Sequence, residues 1–164
     1  MIGSLNFGLV GCGKIAPRHA MEAIKYGRLT AVCDIVPSRA DELASTFQSK
    51  AYYDLDQMLE ADRELDLLVI CTPNGLHAVQ AMAGLKKGLH VLCEKPLCID
   101  KEQGLALIAL AEEKNKKAFV VKSTRFNPIL VSLKRALEQG QWGQIYSFQL
   151  NCFWNRPEAY YKDS

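Results

Sequence analysis

Several common functional signatures are missing from this sequence. The six cysteines include no Cys-x-x-Cys pair and no metal-ligand spacing, so we expect reduced thiols, no metal site and no disulfide framework. No apolar run approaches the roughly 20 residues that a helix needs to cross a bilayer. The N-terminus has no basic leader followed by a long apolar stretch, so no signal peptide is predicted. Together these absences lead us to expect a cytoplasmic protein with no membrane partner.

A strong excess of one charge is also missing. The 20 Lys and Arg residues nearly balance the 18 Asp and Glu residues, and the formal net charge is +2. This balance does not predict the basic surface that binds nucleic acid. What the chain does have is a hydrophobic content of 49% in 164 residues, which suits one domain with a core and a short extension.

Short apolar runs alternate with amphipathic segments as far as Val121, a rhythm that predicts βαβ units. The runs lack clean two-residue alternation, as expected when helices cover both faces of a sheet. We therefore predict an α/β fold with a doubly wound parallel sheet. The predicted strands are Leu5–Val10, Leu29–Asp34, Ala51–Tyr53, Leu67–Cys71, His90–Cys93 and Ala118–Val121. The predicted helices are Ala16–Tyr26, Ser38–Phe47, Asp54–Ala61, Leu76–Lys87 and Asp100–Lys116.

The pattern changes after Val121. A further helix is predicted over Ile129–Gln139, and Ile145–Trp154 then alternates apolar with polar residues. Such alternation is typical of a half-exposed antiparallel strand, which does not belong to a parallel sheet. We therefore predict a first domain over residues 1–123 and the beginning of a truncated α+β second domain over residues 124–164.

The most informative local motif is Gly-x-Gly-x-x-Ala, between the first predicted strand and helix. Gly11 allows the tight turn, Gly13 lets the backbone approach a pyrophosphate, and Ala16 permits close packing of helix on strand. Backbone N–H groups at the helix N-terminus would bind the pyrophosphate, because the helix dipole favours an anion there. This context predicts a Rossmann dinucleotide-binding domain.

Asp34 ends the second predicted strand, roughly 20 residues after the glycine turn, where a carboxylate binds the adenosine ribose. The same carboxylate repels a 2′-phosphate, so the predicted cofactor is NAD rather than NADP. Arg39 is near enough to weaken that preference, although we interpret it as a solvated helix residue. The alternative for Asp34 is an ordinary strand-end residue that caps the next turn.

Two further polar segments follow predicted strands. The segment Cys71–His77 reads CTPNGLH and places Asn74 where a cofactor binds, although by itself it is an ordinary strand-to-helix turn. The triplet Glu94-Lys95-Pro96 puts two charges at the lip of a buried sheet, which is costly unless they pair or function. Lys95 would hydrogen-bond or deprotonate a substrate hydroxyl. The alternative is a surface ion pair between Glu94 and Lys95.

Taken together, these motifs resemble the Gfo/Idh/MocA oxidoreductases, which include glucose–fructose oxidoreductase and inositol dehydrogenase. Glu-Lys-Pro is the most specific sign, and the resemblance extends from Phe7 into the second domain. It implies that the glycine turn binds pyrophosphate, that the CTPNGLH segment lines the nicotinamide side, and that Lys95 is catalytic. The residues implied to contact NAD are Gly11, Cys12, Gly13, Lys14, Ile15, Asp34, Thr72, Pro73, Asn74, Leu76, His77, Glu94 and Lys95.

The end of the chain carries a narrower resemblance. Its FWNRPEAYY stretch is similar to the UDP-N-acetylglucosaminuronate 3-dehydrogenases of surface-polysaccharide synthesis, which oxidise the sugar 3-hydroxyl with NAD. That resemblance implies that Lys122 lies near the cofactor, and that Trp154, Arg156 and Tyr160 join Lys95 near the substrate. Aromatic rings suit sugar faces and an arginine suits an anionic group. A strand end followed by a polar loop is an equal alternative.

These observations leave three functional hypotheses. The first is an NAD-dependent dehydrogenase of a sugar or nucleotide sugar, and another is an inositol or other polyol dehydrogenase of the same family. The third is a non-catalytic NAD(H)-binding sensor or scaffold, against which Lys95 argues. Family members carry further catalytic residues, usually an Asp and a His, in the second domain. We therefore expect this chain alone to be weakly active or inactive, and the full-length protein to be a homo-oligomer.

Overall fold

The computed structural model describes residues 4–158, which contain six strands and six α-helices. The strands are β1 (Leu5–Val10), β2 (Gly27–Cys33), β3 (Lys50–Tyr52), β4 (Leu67–Ile70), β5 (His90–Cys93) and β6 (Ala118–Val120). The helices are α1 (Ala16–Tyr26), α2 (Pro37–Phe47), α3 (Leu55–Ala61), α4 (His77–Lys86), α5 (Lys101–Glu113) and α6 (Pro128–Glu138). Short 3₁₀ helices cover Asn74–Leu76 and Ser123–Phe126. None of the helices within residues 4–158 has the length and apolar character needed to cross a membrane.

All six strands form one parallel sheet in the order β3-β2-β1-β4-β5-β6. The predicted doubly wound Rossmann fold is therefore confirmed. The chain builds the sheet outward from β1 to β3 and then returns to add β4 on the other side of β1. Open α/β sheets bind ligands at this reversal, just outside the carboxyl ends of the strands.

Four strands end level with one another at the carboxyl edge of the sheet. Val10 of β1 lies opposite both Cys33 of β2 and Ile70 of β4, and Ile70 lies opposite Cys93 of β5. The segments that follow these four residues therefore begin side by side. They are the glycine turn, the Asp34 turn, the CTPNGLH segment and the Glu-Lys-Pro triplet.

Apolar side chains cover both faces of the sheet. Successive strand residues point to opposite faces, so Leu9 enters one buried layer and its neighbour Val10 the other. Burial of one such side chain contributes about 1.5–3 kcal/mol. In the layer under α1, the helix presents Ala16, Ala20 and Ala23, which lie on one helical face and are buried. Because these side chains are small, α1 packs close to the sheet beside the glycine turn.

The observed element boundaries lie close to the predicted ones. Three predicted elements, β1, α1 and β5, begin and end at the predicted residues. Helix α5 ends at Glu113 rather than at Lys116, because Asn115 adopts a positive φ of 51° that a helix cannot continue through. Its N-terminus is capped by Asp100, whose carboxylate accepts a hydrogen bond from the Gln103 amide at 2.9 Å.

The contacts divide the chain after Val121 into two units. In the described part of the second unit, α6 begins after Asn127, whose side chain accepts a hydrogen bond from the Ile129 amide. The strand predicted over Ile145–Trp154 is wrong, because this segment forms no regular element. A strand needs a partner for its backbone N–H and C=O groups, and residues 122–158 contain no other strand. The assignment of this unit to an α+β domain stays a prediction.

Candidate functional site

The glycine turn is held tightly against the carboxyl ends of β2 and β4. The Gly11 amide donates a hydrogen bond to the Cys33 carbonyl at 2.8 Å. Gly11 has a φ of +89°, and a Cβ built there would lie 2.6 Å from the Thr72 amide nitrogen. No side chain fits in that space. The first glycine is therefore required by the protein itself, before any ligand is considered.

The second glycine faces open space. A Cβ built on Gly13 would meet no atom within 4 Å. The turn leads directly into α1, whose N-terminus is not capped by any side chain. The first amides of α1 already have partners, since Ala16 donates to the Gly13 carbonyl and Pro17 has no N–H group. The positive end of the helix dipole still attracts an anion, and the turn has the room that a pyrophosphate needs.

Asp34 is buried directly beside this turn. The residue is 8% exposed, and its Oδ2 atom accepts a hydrogen bond from the Cys12 amide at 2.7 Å. Its Oδ1 atom accepts a second bond from the Val36 amide at 2.8 Å. A carboxylate offers about four acceptor positions, so two backbone bonds leave capacity for ribose hydroxyls. Arg39 is exposed on α2 and forms no ion pair within the described residues.

The CTPNGLH segment places its residues in two different environments. Pro73, Asn74 and Leu76 are exposed, whereas His77 is 1% exposed. The His77 Nε2 atom lies 2.7 Å from the Thr72 carbonyl oxygen, and its Nδ1 atom lies 2.6 Å from the Pro96 carbonyl oxygen. A polar contact between this ring and a cofactor would require one of these contacts to break. The implied cofactor contact of His77 stays a prediction.

The Glu-Lys-Pro triplet continues from β5, where the Glu94 amide donates to the Ile70 carbonyl at 2.9 Å. The Glu94 Oε1 atom lies 2.9 Å from His19 Nε2, and each side chain is 14% exposed. Glu94 Oε2 accepts a bond from the Lys95 amide. The side chain of Lys95 is exposed and has no carboxylate partner among residues 4–158. The alternative of a Glu94–Lys95 ion pair is therefore wrong, because the carboxylate pairs with His19 instead.

His19 was not identified from the sequence. The local signal for His19 is weak. It lies on α1 one residue before the buried Ala20, so its polar ring is next to the helix face that packs on the sheet. Its partner Glu94 is 75 residues away in the chain. Only the parallel strand order brings them together.

The thiols of Cys12 and Cys71 lie beside the site in environments that disfavour the thiolate. Burial, followed by the neighbouring charge of Asp34, raises the pKa of Cys12 to about 12. Burial and the Glu94 charge likewise raise the pKa of Cys71 well above its usual range. Both thiols are protonated at neutral pH and therefore unreactive. All six cysteines are free, and the described residues contain no cluster of ligands able to hold a metal ion.

The remaining predicted residues belong to the second unit. Lys122 precedes the 3₁₀ helix Ser123–Phe126 and is exposed. The Arg156 guanidinium lies 4.7 Å from the centre of the Trp154 ring, within the range of a cation–π contact. Tyr160 lies outside the described residues. The roles of these four residues stay predictions.

Known proteins are similar to this chain in sequence and fold. Residues 5–122 match the model of the GFO_IDH_MocA family, described as an oxidoreductase family with an NAD-binding Rossmann fold. Inositol 2-dehydrogenase of Rhizobium meliloti (strain 1021) is 30% identical over 144 residues, which are 87% of this chain and 43% of that protein. UDP-N-acetylglucosamine 3-dehydrogenase of Acidithiobacillus ferrooxidans is 30% identical over 132 residues, which are 80% of this chain and 41% of that protein.

Among solved structures, the WlbA dehydrogenase from Bordetella pertussis in complex with NADH and UDP-GlcNAcA has a TM-score of 0.91 and 35% sequence identity. The match covers 98% of this chain and 47% of that protein. This chain therefore spans less than half the length of the relatives that it matches.

Proposed function

The chain belongs to the Gfo/Idh/MocA family of oxidoreductases, and from this premise we propose that it supplies the cofactor-binding domain of a dehydrogenase. The reaction we propose is oxidation of a hydroxyl group on a sugar or nucleotide sugar, with NAD as the cofactor. When bound, NAD supplies the hydride acceptor. The observation that supports this proposal most directly is the contact between Asp34 and the Cys12 amide. It joins the ribose-binding carboxylate to the turn that cradles the pyrophosphate.

The proposal assigns a separate role to each of three groups of residues. Backbone N–H groups of residues 13–15 and the dipole of α1 hold the pyrophosphate, because the Gly11 and Cys12 amides already donate to the Cys33 carbonyl and to Asp34. Asp34 orients the adenosine ribose and excludes a 2′-phosphate by charge repulsion. Lys95 stands at the carboxyl edge, exposed and with no carboxylate partner in the described part of the chain. In its unprotonated form, its amine nitrogen accepts a hydrogen bond from the substrate hydroxyl and takes the proton that leaves as the alcohol becomes a ketone, while the hydride goes to NAD.

Replacing Asp34 with alanine is expected to weaken NADH binding by about 10- to 100-fold, because charge-assisted hydrogen bonds contribute roughly 1.5–3 kcal/mol. The gap between NADH and NADPH affinities should also narrow, since the charge that repels a 2′-phosphate is gone. Fluorescence titration of the chain with each nucleotide measures both effects.

Glu42→Gln is the matched control for Asp34→Ala. Glu42 is exposed on α2, so its substitution removes one negative charge without touching the turn. A thermal melt monitored by circular dichroism shows whether each variant is folded. Equal NADH affinity for the unaltered chain and a folded Asp34→Ala variant would refute the cofactor assignment.

For the substrate we propose a UDP-N-acetylglucosaminuronate-type sugar, oxidised at C3. The similarity to WlbA supports this choice, since that protein was solved with NADH and UDP-GlcNAcA and the match covers 98% of this chain. The pairing of Arg156 with Trp154 adds chemical support. A guanidinium complements a carboxylate or phosphate, and an indole ring packs against a sugar face. Inositol is the second candidate because of the similarity to inositol 2-dehydrogenase.

In a protein of the relatives' full length that carries this chain, Arg156→Gln is expected to raise KM for the UDP-sugar acid at least about tenfold, because one charge-assisted bond is lost. Turnover of inositol should not change, since inositol has no anionic group. The rate of NADH formation with each substrate measures both effects. Arg135→Gln on α6 removes an exposed cation from the same unit and serves as the control. If inositol proves the better substrate, or Arg156→Gln leaves KM unchanged, the nucleotide-sugar assignment is wrong.

A further inference from the structure

The segment that carries Lys95 is held on both sides by histidines from other elements. Glu94, immediately before the lysine, pairs with His19 of α1, and Pro96, immediately after it, contacts His77 of α4 through its carbonyl. We propose that His19 and His77 are positioning residues, which fix Lys95 relative to the glycine turn and the CTPNGLH segment. The inference rests on the proposed function, in which Lys95 acts at the nicotinamide side of the site.

His77 ties the Lys95 segment to the segment that follows β4. Its ring is buried, with Nδ1 at 2.6 Å from the Pro96 carbonyl oxygen and Nε2 at 2.7 Å from the Thr72 carbonyl oxygen. Carbonyl oxygens only accept hydrogen bonds. A neutral ring therefore donates to one of the two carbonyls and a protonated ring to both, so the ring keeps at least one bond in either state.

Thr72 extends this link to the glycine turn. Its hydroxyl donates to the Gln80 Oε1 atom at 2.5 Å, which fastens it to α4. Its backbone passes so close to Gly11 that a Cβ there would lie 2.6 Å from the Thr72 amide nitrogen. Gly11, Thr72, His77 and Pro96 thus form a continuous series of contacts that ends one residue from Lys95.

His19 makes a second, independent link. Its Nε2 atom contacts Glu94 Oε1 at 2.9 Å, and the other carboxylate oxygen of Glu94 accepts a hydrogen bond from the Lys95 backbone amide at 3.1 Å. Since α1 starts at the glycine turn, this pair fixes the lysine relative to the pyrophosphate cradle. Because each of the two side chains is only 14% exposed, the contact between His19 and Glu94 is shielded from competing water.

Neither histidine lies in the sheet, since His19 is in α1 and His77 begins α4. β5 ends at Cys93, and the last sheet hydrogen bond before the lysine runs from the Glu94 amide to the Ile70 carbonyl. Beyond that point, the two histidine contacts hold the backbone on either side of Lys95, before Leu97 and Cys98 pack against the core. The Lys95 side chain is exposed. Misplacing a catalytic group by about 1 Å is sufficient to cost on the order of 100-fold in rate. Precise positioning of the segment that carries Lys95 is therefore important for the proposed reaction.

The test compares binding of NADH with binding of ADP-ribose, which lacks the nicotinamide. His19→Leu and His77→Leu are each expected to weaken NADH binding about tenfold while ADP-ribose affinity stays within about twofold. His19→Gln should restore NADH binding, because the amide again donates to Glu94. The matched control is His90→Leu. His90 contacts the Lys117 amide near the start of β5, at the opposite edge of the sheet.

A double-mutant cycle separates positioning from a general structural role. If His19 acts through Lys95, His19→Leu will cause no further loss of NADH affinity in a Lys95→Ala chain. Should His77→Leu fail to fold, the partly exposed His19 decides the question. An unchanged ratio of NADH to ADP-ribose affinity in His19→Leu, or an equal change in His90→Leu, overturns the inference alone. Absence of NADH binding by the unaltered chain overturns the proposed function and this inference with it.

Discussion

Gly11→Ala is expected to lower the free energy of unfolding of the chain by about 2–5 kcal/mol. Alanine at a φ of +89° costs roughly 1–2 kcal/mol, and overpacking adds roughly 1–3 kcal/mol. The new Cβ would lie 2.7 Å from the Cys71 carbonyl carbon and 2.6 Å from the Thr72 nitrogen. These are backbone atoms that cannot rotate away, and the Cys71 amide is itself bonded to the Val10 carbonyl at 2.8 Å.

Gly88→Ala separates the two costs of Gly11→Ala. Gly88 also has a positive φ, +79°, but a Cβ there meets nothing within 4 Å. We expect Gly88→Ala to lower the free energy of unfolding only by the cost of the positive φ, about 1 kcal/mol. Urea denaturation of the unaltered chain and both variants measures the difference. If Gly11→Ala loses no more stability than Gly88→Ala, the close approach of the turn to β4 is not what requires glycine.

Gly13→Ala is expected to abolish most NADH binding while the fold stays intact. The added methyl group meets no protein atom within 4 Å, so it introduces no clash within the chain. It does fill the open space through which a pyrophosphate must approach the backbone. Loss of one or two charge-assisted bonds, at roughly 1.5–3 kcal/mol each, predicts a fall in affinity of about 100-fold. NADH fluorescence titration, beside a urea denaturation curve, reports the two properties separately.

The three glycine variants are expected to separate the loss of stability from the loss of NADH binding. Gly11→Ala should lose stability, Gly13→Ala should lose binding alone, and Gly88→Ala should bind NADH normally after a small loss of stability. Gly88 follows α4 and precedes Leu89 and β5, at the sheet edge opposite the glycine turn. A Gly13→Ala chain that binds NADH as the unaltered chain does would show that the turn is not a pyrophosphate cradle. The fold assignment would be unaffected, but the proposed cofactor site would be wrong.

Local chemistry explains why so much of the fold could be predicted. Apolar runs without alternation identified the strands of a sheet covered on both faces, and Asp54 and Asp100 marked helix starts by capping them. The same local reasoning gave a wrong strand at Ile145–Trp154. Alternation there determines which side chains share a face, but a strand also needs a partner. Residues 122–158 contain no second strand that could supply that partner.

The sequence by itself determined the parts of the site that are short in chain distance. The glycine turn depends on Gly11, Gly13 and Ala16 within a single strand-to-helix connection. Asp34 follows the next strand in the chain, at the spacing typical of a ribose-binding carboxylate. Each of these could be predicted because the physical requirement lies within one turn or one strand end. The Glu-Lys-Pro triplet could be found for the same reason, although its partners could not.

Only the tertiary structure decided which groups meet at the carboxyl edge. His19 and Glu94 are 75 residues apart, and His77 reaches the Pro96 carbonyl over 19 residues. No local pattern encodes such pairs. They arise because Val10, Ile70 and Cys93 end level in neighbouring parallel strands, which follows from the order of the whole sheet. The position of Lys95 is therefore a property of the folded sheet rather than of the triplet that contains it.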